Sequence, residues 1–123
     1  MEPIEQNMAR TARYIVSEAN GYRSREQGHM ASGSGTVNPG TVCGKVTGTG
    51  KFKPLSPAAN DGSEVASAVL YQGCDASDAD VRRTFTVRDT EVIEAELIWP
   101  DGITDQQKND AIAALSERGI VLR

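Results

Sequence analysis

Short apolar runs separated by turn residues recur along most of the chain, and this pattern predicts strands more often than helices. The turn Gly48-Thr49-Gly50 separates two such runs and predicts a β-hairpin. A later run, Val-Ala-Ser-Ala-Val-Leu-Tyr, is apolar enough for a largely buried strand. The predicted strands are residues 41–46, 51–55, 65–71, 83–88, 91–97 and 120–122.

One segment near the C-terminus carries the signals of a helix. Thr104 is a good N-cap, and Gln107 three residues later completes a capping box. Gly119 provides a natural stop. Between these residues an apolar stripe repeats at helical spacing, with the alkyl part of Lys108 at its edge. Its members are Ala111, Ile112, Ala114 and Leu115.

The N-terminal third has a different composition. Residues 1–13 mix charges with apolar residues but are too short for a stable isolated helix. Tyr14-Ile15-Val16 is a β-prone run, and the stretch from Gly28 to Gly35 is rich in Gly and Ser, as linkers are. These features predict a chain of two parts: an N-terminal arm with its linker over residues 1–35, and a β-rich domain over residues 36–123.

Composition indicates that the core of this β-rich domain is thin. Hydrophobic residues make up 38% of the 123-residue chain, but aromatic residues only 5%. Small domains with few large side chains bury little apolar area, and oligomerisation is a common remedy. Trp99 before Pro100 is interpreted as a stiff lid on the core in preference to an exposed recognition element.

Charge is unevenly distributed along the chain. Residues 1–53 carry seven Lys/Arg and four Asp/Glu, whereas residues 54–123 carry six and thirteen. The acidic second part argues against nucleic acid as a direct partner, because phosphate binding needs an electropositive face. No stretch approaches the roughly 20 apolar residues of a membrane span, and no apolar signal core is evident at the N-terminus. Synthesis in the cytoplasm, without membrane association, is therefore expected.

Candidate catalytic and metal-binding patterns are weak, so no catalytic residue, metal or cofactor is predicted. The single histidine, His29, lies in the predicted linker. Residues 44–51 miss the spacing of a phosphate-binding loop. Residues 75–80 hold three Asp but lack the Gly and distal Glu of a calcium loop, which favours a solvated loop over weak cation binding. Cys43 and Cys74 have no metal-ligand spacing and are expected to be buried thiols, with a chance disulfide as the alternative.

Six segments form a series along the chain: residues 39–46, 50–55, 59–70, 75–80, 97–104 and 114–121. None is diagnostic alone, but their order and spacing cover about residues 36–123. Taken in order, they resemble the lambda-type head decoration family of tailed bacteriophages, and residues 15–26 are similar to the N-terminal region of many members. Residues 1–13 have no match, and Cys43 stands where members tend to carry a larger aliphatic residue.

The resemblance implies a mainly β (small α+β) fold: a β-clip-like body with one short C-terminal helix and an extended N-terminal arm. It further implies a non-enzymatic homotrimer at the three-fold and quasi-three-fold positions of the outer surface of the expanded capsid. There the arm would order by strand addition to the major capsid protein, and the trimer would stabilise the virion against the pressure of packaged DNA.

Two groups of residues are expected to carry these interactions. The capsid-binding arm residues are Tyr14, Ile15, Val16, Ser17, Glu18, Tyr22, Arg23, Ser24, Arg25 and Glu26. The residues of a trimer or core corner are Val69, Leu70, Trp99, Pro100 and Ile103. Two other interpretations stay open at this point: a small β-rich adaptor or carbohydrate-binding module with a passive tail, and a hydrolase built on the acidic loop.

Overall fold

A computed structural model describes residues 11–19 and 23–123, and it is mainly β, as predicted. Within these ranges ten strands, a 3₁₀ turn at Glu94–Glu96 and one α-helix follow one another. The elements are β1 (Ile15–Glu18), β2 (Arg25–Met30), β3 (Gly35–Val37), β4 (Val42–Lys45), β5 (Phe52–Pro54), β6 (Ala66–Leu70), β7 (Cys74–Ala76), β8 (Val81–Thr86), β9 (Thr90–Val92), α1 (Asp105–Glu117) and β10 (Ile120–Leu122).

Five of the strands form a closed barrel in the order β2-β5-β4-β6-β8. The predicted hairpin is confirmed, because β4 and β5 pair antiparallel with Lys45 opposite Phe52. Every residue of β6 is buried, as expected for a strand with apolar residues on both faces. Two smaller sheets flank the barrel: β9 lies between β1 and β10, and β3 pairs with β7.

The buried apolar residues divide into two clusters. One cluster, called the second below, lies inside the barrel, where the rings of Phe52 and Phe85 stack with their centroids 4.2 Å apart. The first cluster lies between the barrel, the helix and the β1-β9-β10 sheet, and its members are Tyr14, Val42, Leu55, Ala66, Val69, Val92, Leu97, Ala111, Leu115 and Ile120. The second comprises Met30, Val37, Cys43, Phe52, Ala68, Leu70, Cys74, Ala76, Phe85 and Val87.

The helix begins and ends where the sequence predicted. The Thr104 hydroxyl accepts a hydrogen bond from the Gln107 backbone N–H, and the Gln107 side chain accepts one from the Thr104 N–H, so the capping box is complete. Gly119 adopts φ 82°, which lets the chain leave the helix for β10. The helix buries Ala111 and Leu115 against the first cluster.

The Gly/Ser-rich segment differs from the predicted linker. All six residues of β2 pair with β8, and β3 crosses the predicted boundary between residues 35 and 36. Gly28 is needed in β2 for a packing reason, since a Cβ there would lie 2.8 Å from the Phe52 ring. Glycine in this strand therefore marks a close approach to the aromatic pair.

The strand predicted over residues 91–97 is shorter in the structure. β9 ends at Val92, which is the last residue of β9 to pair with both neighbours, Ile15 of β1 and Leu122 of β10. Beyond it the chain turns into the 3₁₀ segment at Glu94–Glu96. Strand β7 was not predicted from the sequence at all.

Gly28→Ala tests whether this segment belongs to the barrel. The added methyl group must displace the Phe52 ring, so unfolding free energy should fall by about 1–3 kcal/mol. Gly48→Ala is the matched control, because a Cβ there meets nothing within 4 Å. Chemical denaturation of both variants measures the difference. Equal stabilities would place residue 28 in a linker after all.

Candidate functional site

Strand β1, within the predicted arm, pairs with the body of the same chain. It is an edge strand that lies antiparallel to β9. The Ser17 hydroxyl donates to the Glu91 carboxylate at 2.6 Å, and the Ala19 N–H donates to the Asp89 carbonyl at 3.1 Å. Val16 lies at a register shift and is 52% exposed. This arrangement differs from an arm whose strand pairs only with the capsid protein.

Tyr14 fixes the start of this strand in the core. Its side chain is 1% exposed and belongs to the first apolar cluster. Its hydroxyl and the Thr86 hydroxyl share a hydrogen bond of 2.5 Å, and its carbonyl accepts from the Ile93 N–H at 2.6 Å. Burial raises the pKa of Tyr14 above its ordinary value, so the phenol stays neutral.

A partly buried ion pair fixes the end of the strand. The Glu18 carboxylate accepts hydrogen bonds from the Arg25 guanidinium and from the Ser24 hydroxyl. The Arg25 guanidinium also lies 4.2 Å from the centre of the Tyr71 ring. Burial raises the pKa of Glu18, but the hydrogen bonds and the charge of Arg25 outweigh this, so its pKa lies below the ordinary value.

The remaining predicted arm residues are dispersed. Tyr22 lies outside the described residues. Arg88 joins two of the others, since its guanidinium donates to the Arg23 carbonyl at 2.7 Å and to the Glu26 carboxylate. The structure therefore brings Glu18, Ser24 and Arg25 together, which the sequence alone did not indicate.

The predicted trimer or core corner divides into buried and partly buried residues. Val69 and Leu70 are fully buried, one in each apolar cluster. Trp99, Pro100 and Ile103 are partly buried, and Trp99 packs against the first cluster. The indole N–H of Trp99 is buried without a hydrogen-bond partner in the described part of the chain.

Two exposed apolar side chains were missed by the sequence analysis. Val65, just before β6, is 50% exposed, and Ile98 is 37% exposed. Val65 lines a hollow of about 280 Å³ between α1 and the start of β6, and Glu64, Gln107 and Asp110 contribute polar groups to it. Apolar lining is contributed there by Leu55, Pro57, Ala66, Ala111 and Ala114. Val65 is therefore an exposed apolar side chain beside a hollow with partly apolar walls, a feature that a protein contact could cover.

Comparison with known families identifies this architecture. The family model described as bacteriophage lambda head decoration protein D matches residues 4–120. The chain belongs to this family. The comparison with individual curated proteins found no match. Membership makes the chain a capsid structural protein of the phage virion, and the predicted resemblance is confirmed.

Members of the head decoration family are structural and not enzymatic. In this member, two of the three carboxylates of the acidic loop are held by neighbouring groups: Asp75 accepts from the Ser77 N–H and hydroxyl, and Asp80 accepts from the Ser32 N–H and pairs with Lys51 at 2.6 Å. Across residues 11–19 and 23–123, no group of three or more His, Cys, Asp or Glu could hold a metal ion.

The two cysteines of this head decoration protein are buried free thiols. Burial raises the pKa of the Cys43 thiol, and electrostatic repulsion from Cys74 raises it further. The reactive thiolate form of Cys43 is therefore disfavoured. Among the described residues, the helix is too short and too polar to cross a membrane.

Glu18→Gln tests the contribution of the ion pair through its pH dependence. Because the folded-state pKa of Glu18 is lowered, its stabilisation is present above the unfolded value of about 4.3 and is lost as the pH falls through the folded value. The wild type should therefore be more stable than the variant at pH 7, and the two should converge below about pH 4. Thermal unfolding from pH 3 to 7 measures this, with exposed Glu117→Gln as control. A constant difference across that range would contradict the role of the charge.

Proposed function

We propose that this head decoration protein is a trimeric cement protein of the expanded capsid. It binds the outer surface at three-fold and quasi-three-fold positions through the major capsid protein, and it stabilises the shell against the pressure of packaged DNA. It is made in the host cytoplasm and makes no direct contact with nucleic acid. The family match over residues 4–120 is the observation that carries this proposal.

The anchoring of Tyr14 suggests how the N-terminal region divides its work. Residues 14–18 act as a clasp, because they are tied to the core by Tyr14 and to β2 by Glu18. Capsid capture then belongs to the chain that precedes the clasp. Residues 1–10 contain Ile4 and Met8 among charged residues, a composition suited to docking on another protein. The proposed binding segment therefore lies upstream of the residues first expected to form it.

The exposed edge of β1 provides a second place for capsid contact. Within the described chain β1 pairs on one side only, with β9. An unpaired strand edge can accept a strand from another protein, and Val16 on this strand is 52% exposed. Capture by residues 1–10 and pairing at the β1 edge would therefore act on neighbouring parts of one capsid subunit.

Trimer formation is proposed at the hollow that Val65 lines. The apolar cores are thin, and the side chains of Val65 and Ile98 leave apolar surface exposed in the isolated chain. Burying such surface between subunits supplies the stability that a small domain lacks. The trimer also explains tight retention on the capsid, because three linked contacts release far more slowly than one.

Two truncations separate the clasp from the binding segment. A chain that begins at Thr11 keeps Tyr14 and β1, so its melting temperature should stay unchanged while its affinity for undecorated capsids falls by about 10²-fold or more. A chain that begins at Asn20 also loses the Tyr14 side chain from the core, so it should melt at a lower temperature. Co-sedimentation with capsids and thermal unfolding measure the two effects. Near-normal decoration by the chain that begins at Thr11 would assign capsid binding to the body.

Val65→Glu tests the proposed trimer contact. A carboxylate in an apolar interface loses its hydration without a partner, so the variant should dissociate to a folded monomer at micromolar concentration. Val16→Glu, at a similarly exposed valine on β1, should remain trimeric. Analytical ultracentrifugation distinguishes the two. A trimeric Val65→Glu variant would exclude this hollow from the interface.

A further inference from the structure

A cavity opens where two strands of the barrel separate. β6 and β8 pair only at Val69 with Thr86 and at Leu70 with Phe85. Ser67 precedes the paired part of β6, and the chain continues beyond β8 on the other side of the gap. The resulting cavity has a volume of about 470 Å³ and is lined by residues from both sides.

Ser67 lines this cavity, and its hydroxyl is an unused hydrogen-bonding group buried just beneath the wall. Ser67 is only 6% exposed, and its hydroxyl has no hydrogen-bond partner in the described part of the chain. Buried polar groups without a partner are uncommon and destabilising, so each calls for an explanation. A ligand that accepts a hydrogen bond from this hydroxyl provides one.

The charges around the cavity favour a negatively charged ligand. Lys45 and Arg118 line it and form no ion pair within residues 11–19 and 23–123. Arg88 is already neutralised by Glu26. Asp89 is the remaining carboxylate of the lining, so the lining carries a net charge of +1. The whole chain, in contrast, has a net charge of −4.

The same two cations also line a second hollow on the other side of Ser67. This hollow of about 500 Å³ is lined by Lys45, Ser67 and Arg118, and also by the Glu64 carboxylate, which accepts a hydrogen bond from the Gly62 N–H at 2.9 Å. Ser67 thus lies between two openings, both bordered by the unpaired cations. The Lys45 ammonium lies 5.5 Å from the centre of the Phe52 ring, and none of the ion pairs among the described residues includes it.

We propose that this cavity binds an oxyanion, a phosphate or carboxylate group, through the Ser67 hydroxyl and the charges of Lys45 and Arg118. The hydroxyl lies just beneath the cavity wall, so binding includes a change of its χ1 rotamer toward the ligand. Hydrogen bonds to charged acceptors are stronger than neutral ones, and the two cations supply the opposite charge. The proposal is independent of capsid binding.

Titration with inorganic phosphate and, separately, with acetate tests the proposal on the full-length protein. Amide resonances at residues 66–68 should shift with a saturable curve at constant ionic strength. Ser67→Ala and Arg118→Gln should each weaken binding by about tenfold or more, the amount expected for one lost charged hydrogen bond. Arg82→Gln, an exposed cation that does not line the cavity, is the matched control and should bind within about twofold of wild type.

A stability measurement on Ser67→Ala separates loss of binding from loss of folding. Removing an unpaired buried hydroxyl should leave the melting temperature unchanged or raise it, while anion binding weakens. Saturation by phosphate, by acetate or by both supports the site, and the stronger ligand identifies its chemistry. Absence of saturable shifts with either anion, or equal affinities for wild type and Ser67→Ala, would overturn the proposal.

Discussion

The buried Tyr14 side chain is the contact on which the rest of the arrangement depends. Its ring completes the cluster between the barrel, the helix and the outer sheet, and its hydroxyl reaches Thr86 at the end of β8. Because large side chains are scarce in this chain, one aromatic ring forms a substantial part of the first core. Placing that ring also places β1 beside β9. Residues 14–19 are consequently part of the folded body.

Much of the fold could be predicted because its elements carry local signals. The capping box at Thr104 and Gln107 and the turn between β4 and β5 depend on residues close in sequence. β2 could not be found in this way, since its partners in the barrel lie more than fifty residues away along β8. Its glycine looked like a linker residue, whereas in three dimensions it makes room for the Phe52 ring.

The candidate site was predictable only in part, for the same physical reason. Tyr14, Glu18 and Arg25 were selected from the sequence as arm residues, but whether a side chain turns inward depends on distant partners such as Thr86 and Tyr71. The Ser67 cavity depends on where two strands stop pairing, and no local pattern records that. Family membership supplied the capsid role, which neither composition nor periodicity could have supplied. The structure adds that Tyr14 and Glu18 anchor β1 to the rest of the chain.

Hydrogen exchange on the capsid-free protein tests the central claim most directly, namely that β1 is part of the folded body before capsid binding. The amides to follow are those of Ala19 and Ile93, which donate to the carbonyls of Asp89 and Tyr14 across this strand. The account predicts that both are protected to nearly the same degree as amides of β6. Rapid exchange at these two positions, with β6 still protected, would contradict it and would return residues 14–18 to a free arm.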